Sequence, residues 1–278
     1  MSALCYQIKH NKMKKIFMAA SIAALLLTSI SSVFAQSKKR TETIVLVHGA
    51  WSDASAWDHI VPQLKSAGFE VIAVNLPGHG KDNTPPAGIT LDNYVAVVKK
   101  AIGTKNNVIL VGHSMGGAII GEVAEQIPTQ IKKLIYLAAF LPHNGEAMIS
   151  IAQTDTESHL VKYLQVNKEE GSASVAKDGF IDAFAADAPD AVKEQLLNTL
   201  KPEPLAPVVT PVVLSDANYG KVEKVFIYTV NDHAISYAVQ QKMVAEANIG
   251  RTYALPSSHA AFLAMPGVLA AIIEQEAK

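Results

Sequence analysis

Residues 108–120 read VILVGHSMGGAII: a run of β-branched and aliphatic side chains drives straight into Gly112-His113-Ser114-Met115-Gly116-Gly117, and an apolar helical pattern then resumes at once. A short apolar run bounded by glycine has the form of a strand buried on both faces, and the small residues after it have the form of a tight turn into a helix. Such a strand needs a parallel sheet with helices on both sides. Ser114 is left at the strand-to-helix corner. Gly-x-Ser-x-Gly in that place is the pattern of a nucleophile elbow, a turn so sharp that only small residues fit beside it. It lifts the serine oxygen above the sheet, and the first N–H groups of the following helix favour negative charge at the same spot.

The rest of the chain supplies the sheet. Strand patterns recur at Ile44–His48, Glu70–Asn75, Val108–Gly112, Lys133–Ala138, Lys224–Val230 and Arg251–Leu255, with helical patterns near residues 55–67, 91–103, 115–126, 236–248 and 261–275. Strand and helix in alternation, with buried aliphatic strands, predict an α/β fold whose mostly parallel sheet has six strands flanked by helices. The span 141–219 breaks the alternation. It shows scattered helical patterns, no clear strand, and proline-rich connectors at Lys201-Pro202-Glu203-Pro204 and Pro207–Pro211. We read it as a helical cap inserted between two core segments, residues 36–140 and 220–278.

Length and charge narrow the function classes. A chain of 278 residues is long enough for one large domain with an insertion. Lys and Arg number 24 against 25 Asp and Glu, which implies no basic face for nucleic acid. Lys14-Lys15, the apolar stretch Ile16–Ile30 and the small residues of Ser32-Val33-Phe34-Ala35 follow the order of a secretory signal peptide cleaved before Gln36. The apolar stretch falls short of the roughly 20 residues that span a bilayer, so no stable anchor is expected after cleavage. Met13 is a more typical start for such a leader than Met1, which makes residues 1–12 an upstream extension. The expected destination is the periplasm or the medium. Removal of residues 1–35 takes away four lysines and Cys5, the only cysteine, and leaves a mildly acidic chain with no thiol chemistry.

A serine hydroxyl needs a neighbouring base, and the base an orienting acid. In this type of sheet they follow the serine in the order acid, then histidine. Among His143, His159, His233 and His259, the last lies in the turn Leu255-Pro256-Ser257-Ser258-His259 between the final strand and the C-terminal helix. That is the strand-end face where ligands gather. Asp232 lies just beyond the preceding strand, whereas Asp216 lies before it and Glu246 deep in the next helix. The catalytic set is therefore Ser114, Asp232 and His259. Oxyanion donors are expected from the backbone N–H of Met115 and from the loop His48-Gly49-Ala50-Trp51, where Ala50 is the choice. Trp51 and Trp57 read first as packing residues, with Trp51 a further candidate for the substrate pocket.

Val47-His48-Gly49-Ala50-Trp51, Leu76-Pro77-Gly78-His79-Gly80, Gly112-His113-Ser114-Met115-Gly116-Gly117, Tyr136–Pro142 and Asn231-Asp232-His233-Ala234-Ile235 together resemble the α/β-hydrolase superfamily. Within it they are similar to the branch of plant methylesterases, hydroxynitrile lyases and bacterial esterase relatives. The resemblance runs from about Thr43 to the C-terminus. It implies the same triad, a small-molecule ester substrate, and no metal or organic cofactor. Hydroxynitrile lyases of the branch carry a threonine near the oxyanion loop and a lysine right after the catalytic histidine. Here the loop holds Ala50 and Trp51, and Ala260 follows His259, so the resemblance implies ester hydrolysis through an acyl-serine. A silent binding protein on the same fold is the alternative from another class, but it would have no need of an intact triad.

Overall fold

The switch in strand order at the centre of the sheet decides where a ligand can sit. The computed structural model describes residues 42–278; the leader reading for residues 1–35 falls outside them. The strands are β1 (Thr43–Val47), β2 (Glu70–Val74), β3 (Val108–His113), β4 (Ile131–Leu137), β5 (Leu164–Asn167), β6 (Ser172–Val175), β7 (Glu203–Pro204), β8 (Glu223–Thr229) and β9 (Arg251–Leu255). Six of them form a sheet in the order β2-β1-β3-β4-β8-β9, with every pairing parallel. The chain leaves β1 toward β2 on one side, and from β3 onward builds to the other. A crevice therefore opens above the carboxyl ends of β1 and β3, where open parallel sheets bind ligands.

The described helices are α1 (Val61–Ser66), α2 (Leu91–Ile102), α3 (Gly116–Gln126), α4 (Met148–Ala152), α5 (Lys177–Phe184), α6 (Asp190–Thr199), α7 (Leu205–Val209), α8 (Tyr237–Glu246), α9 (Ala261–Ala264) and α10 (Pro266–Ala277). Helix α2 begins with a reciprocal cap, in which Thr90 Oγ1 accepts from Asn93 N–H and Asn93 Oδ1 accepts from Thr90 N–H. Its Leu91, Tyr94, Val95, Val98 and Ile102 recur at helical spacing and are buried against one face of the sheet with α3 and α8. The other face packs Trp57, Ile60 and Leu64 with Phe262, Leu269 and Ile273 of α9 and α10. At roughly 1.5–3 kcal/mol per fully buried aliphatic or aromatic side chain, these two layers supply most of the driving force for folding.

Two expected helices are interrupted. The pattern at 261–275 divides between α9 and α10 at Met265, which has φ −134° because Pro266 follows it. The pattern at 55–67 divides into a 3-10 turn, Ala54–Trp57, and α1, which opens beside Pro62.

The cap carries more than helices. Strands β5, β6 and β7 form a three-stranded antiparallel sheet in it. The strands are short and polar, so their alternation gives little signal. The Lys201–Pro204 segment, read as a connector, contains β7, an outer strand where Pro204 is tolerated because its missing N–H costs no central ladder bond. The second proline segment contains α7, where Pro207 falls in the first turn and displaces no intrahelical bond. From residue 42 on, the chain lies within one compact unit.

Candidate active site

Ser114 follows β3 directly and holds φ +53°, a left-handed conformation that a side chain rarely adopts. Three backbone bonds fix it there: its N–H donates to Leu137 O, and its carbonyl accepts from Gly117 and Phe140 N–H. The turn leaves no room for a larger neighbour, since a Cβ on Gly117 would lie 2.3 Å from Phe140 O. The loop after β1 comes equally close, because a Cβ on Gly49 would lie 2.8 Å from Ser114 Cβ. The two loops that flank the crevice thus meet at the serine.

Asp232 and His259, from the ends of β8 and β9, form a buried pair with Nδ1 and Oδ2 2.7 Å apart. The carboxylate is held from every side. Its Oδ1 accepts from Ala234 and Ile235 N–H at 2.8 and 2.9 Å, and its Oδ2 from Thr229 Oγ1 at 2.6 Å and Gln240 Nε2 at 3.0 Å. With only acceptors offered to Nδ1, that nitrogen carries the proton of a neutral ring. His259 Nε2 is buried with no hydrogen-bond partner among the described residues and so accepts no bond from Ser114 in this structure. Such bonds commonly tighten only when substrate is bound. The His259 loop reaches the elbow through His113, whose Nε2 donates to His259 O at 3.1 Å. Burial, with the nearby His259, keeps His113 well below the usual histidine range and therefore neutral.

Trp51 sits at φ +54° in the loop after β1, and its N–H donates to Glu203 Oε2 of the cap at 2.9 Å. Trp51 N–H is thereby engaged, whereas the N–H groups of Ala50 and Met115 have no acceptor among the described residues. Glu203 is buried and also accepts from Tyr94 Oη at 3.1 Å and His79 Nε2 at 2.9 Å. His79 Nδ1 faces Pro77 O at 2.9 Å, so both ring nitrogens donate and the ring is an imidazolium. Burial alone would lower its pKa, but the hydrogen bond and charge of Glu203 outweigh that and raise it. Next to it His48 is neutral, pushed down to about 3 by burial and by the charge of His79. Its Nδ1 faces Gly49 O and its Nε2 accepts from Leu76 N–H.

Two further cap carboxylates repeat the device. Asp155 Oδ2 accepts from Ser236 N–H at 2.7 Å, beyond Asp232, and Asp187 Oδ2 accepts from Ser258 N–H at 2.8 Å, beside His259. The loops after β1, β8 and β9 are thus each tied to the cap through a backbone N–H bonded to an acid.

Above Ser114 lies a cavity of about 310 Å³ whose wall is apolar, with Trp51, Phe140, Met148, Leu164, Phe184 and Val208 among the lining residues. Among the described residues, no lysine or arginine lines it. Trp51 thus serves both as lining and as packing against Phe184, whereas Trp57 is wholly buried in the core against Phe262. His143, Asp216 and Glu246 line a separate surface cleft. His159 and His233 lie outside the cavity.

A model of the alpha/beta hydrolase family matches residues 44–272. The chain belongs to that family. This α/β-hydrolase is 32% identical over 244 residues to an Arabidopsis thaliana protein named as a chloroplastic methylesterase, a match covering 82% of this chain and 62% of the relative. The chain thus spans about three fifths of that relative's length. An Arabidopsis thaliana alpha-hydroxynitrile lyase is 28% identical over 252 residues, covering 82% of this chain and 94% of the lyase. The crystal structure of a pyrethroid hydrolase superposes with a TM-score of 0.75 at 26% identity, covering 85% of this chain and 98% of that one.

Within the hydrolase, Ser114, Met115, Ala50 and Trp51 gather at one end of the sheet with the Asp232–His259 pair. Sequence reasoning missed Glu203, Gln240, Thr229 and Asp187. The one signal for Glu203 was its place between Pro202 and Pro204, which fix the backbone on either side of an acid.

Proposed function

We propose that this α/β-hydrolase cleaves small carboxylic esters through an acyl-serine intermediate. The observation that carries the reading is the buried Asp232–His259 pair with Nε2 free, at the same sheet end as a strained serine opening into an apolar cavity. His259 Nε2 takes the Ser114 proton as Oγ attacks the ester carbonyl, and Asp232 holds the tautomer and stabilises the imidazolium. The backbone N–H groups of Ala50 and Met115 receive the oxyanion. Collapse of the tetrahedral intermediate expels the alcohol with the proton from His259. A water, deprotonated by the same nitrogen, then releases the acid and regenerates the serine.

A cavity of about 310 Å³ lies at the small end of ligand pockets, and its apolar wall suits an ester with a compact hydrophobic body. The methylesterase and pyrethroid hydrolase relatives support an ester substrate. The lyase relative supports a second reading, cyanohydrin cleavage, which is disfavoured because no cationic side chain among the described residues lines the cavity to receive cyanide. Among the described residues no helix is long and apolar enough to cross a membrane, and the order of residues 14–35 supports export. A panel of nitrophenyl esters of increasing acyl length, beside methyl esters of aromatic acids and a cyanohydrin, tests the reading. Saturable ester turnover with no cyanide release is expected; cyanide release without ester turnover would overturn it.

A further inference from the structure

Outside the cavity, two histidines and an aspartate converge where the cap meets the core. His159 precedes the 3-10 turn Leu160–Lys162 of the cap, Asp182 lies on α5, and His233 follows Asp232 in the loop after β8. His159 Nδ1 lies 2.8 Å from Asp182 Oδ2, and His233 Nδ1 lies 3.2 Å from Asp182 Oδ1. The imidazole rings are tilted together with centroids 4.2 Å apart, and donor atoms from all three residues lie within 4.8 Å of one another. We propose that His159, Asp182 and His233 form a binding site for a divalent transition-metal ion, zinc above all, that staples the cap to the loop carrying Asp232.

The donor chemistry selects the ion. Two imidazoles and one carboxylate are a zinc-type set, with bonds of about 2.0–2.2 Å and a fourth position left to water. Ligand atoms around such a tetrahedral ion stand about 3.3 Å apart; the imidazole-to-carboxylate separations of 2.8 and 3.2 Å, one to each oxygen of Asp182, lie just below that value, and with all donors within 4.8 Å of one another side-chain rotation brings the set onto one ion. Magnesium and calcium prefer all-oxygen shells and fit poorly. Two neutral rings and a carboxylate carry one negative charge. Asp182 is available in that form, because its bonds to the two histidines outweigh burial and hold its carboxyl below the usual range. The Tyr163 hydroxyl also donates to Oδ2 and orients the carboxylate.

Entry requires little rearrangement. The three side chains are each a third or more exposed, so an ion can arrive from solvent. Binding puts the metal on each Nδ1 and moves that proton to Nε2, which has no hydrogen-bond partner among the described residues. A neutral ring therefore releases no net proton, whereas a protonated ring must lose one, and affinity weakens as pH falls. The ion would bridge His159 and Asp182 of the cap to the residue between Asp232 and the Ala234 and Ile235 N–H groups that hold it. It would act as a structural staple and would not touch the ester carbonyl.

The test is zinc titration by calorimetry of the untagged full chain after chelator treatment and dialysis, with thermal unfolding followed in parallel. One zinc per chain is expected, with a melting temperature that rises with zinc concentration and no rise at equal magnesium. His159→Gln, His233→Asn and Asp182→Asn should each weaken binding at least tenfold while keeping the far-UV spectrum of the parent. His143→Ala, which removes the histidine paired with Glu246 on the other cleft, should bind as the parent does. Absence of saturable binding, or an affinity in the three site variants equal to that of the parent, would overturn the proposal. So would loss of binding in His143→Ala alone.

Discussion

In β1 the side chains of Ile44, Val45, Leu46 and Val47 are fully buried, whereas β5 of the cap leaves Gln165, Val166 and Asn167 exposed. The sheet holds its residues by burial on two faces, and the elbow inherits that rigidity from β3. The cap packs apolar side chains such as Met148, Ile151 and Phe184 on the core and adds a few carboxylates, of which Asp155, Asp187 and Glu203 each grip a backbone N–H of one loop at the sheet end. On the proposed mechanism the sheet end supplies the reacting groups, and the cap supplies the cavity wall and the last increment of alignment. Removing a reacting group and removing a cap tie should differ by orders of magnitude in rate.

The largest effect is expected at the elbow. Ser114→Ala should lower turnover on the order of 10⁶-fold, leaving only what binding and the oxyanion donors supply, if the triad acts as a unit. Retention of more than a hundredth of the rate would mean that another group attacks. Next comes Asp232→Asn, which should cost roughly 10⁴-fold because an amide at that position no longer enforces the tautomer of His259. Asp216→Asn, in the separate cleft, should leave turnover within about twofold; a matching loss there would show the acid to be misassigned.

Cap ties should rank below both. Glu203→Gln breaks a buried ion pair and frees Trp51 N–H, so we expect a loss of stability of about 3 kcal/mol and, from a misaligned oxyanion loop, a fall in kcat on the order of 10²-fold with little change in KM. Its pH signature has a definite sign. The pKa of His79 is raised in the folded chain, so the contribution of the pair to stability is complete below the unfolded value of about 6.5 and is lost as pH rises through the folded value. Urea unfolding should show the parent losing stability over that interval and Glu203→Gln losing less. A parallel pH dependence in the two proteins would remove the charged pair from the account. The smallest effect is expected for Asp187→Ala. It deletes a partly buried tie to Ser258 worth about 1 kcal/mol, or roughly fivefold in rate, measurable with a saturating ester.

The same contrast explains what could be read from sequence. Strand β9 coincides with the expected Arg251–Leu255, and the other five sheet strands lie within two residues of their expected limits; in the central strands β1, β3, β4 and β8 burial on both faces writes an apolar run, whereas the mostly exposed edge strand β9 is marked by its β-branched and aromatic residues and the turn after it. The elbow announced itself through glycines that the close approach of Phe140 requires. Cap strands β5 and β6 wrote no such run, since Gln165, Asn167, Ser172 and Ser174 satisfy their backbones in a small, partly exposed sheet. Nor could spacing reveal Glu203. Its partners Trp51, His79 and Tyr94 lie 109 or more positions away and meet it only when the cap folds over the crevice. Gln240 and Thr229 escaped for a different reason: polar side chains near a strand end look like surface until a buried carboxylate is seen between them.

The central claim is that Ser114 is a nucleophile and that the elbow is more than a turn. Rapid mixing with a nitrophenyl ester, followed by acid quench and peptide mass spectrometry, tests it directly. The account predicts a burst of nitrophenol that scales with enzyme concentration and an acyl mass on the peptide containing Ser114. Linear release with Ser114 unmodified, or an acyl group on another residue, would contradict it.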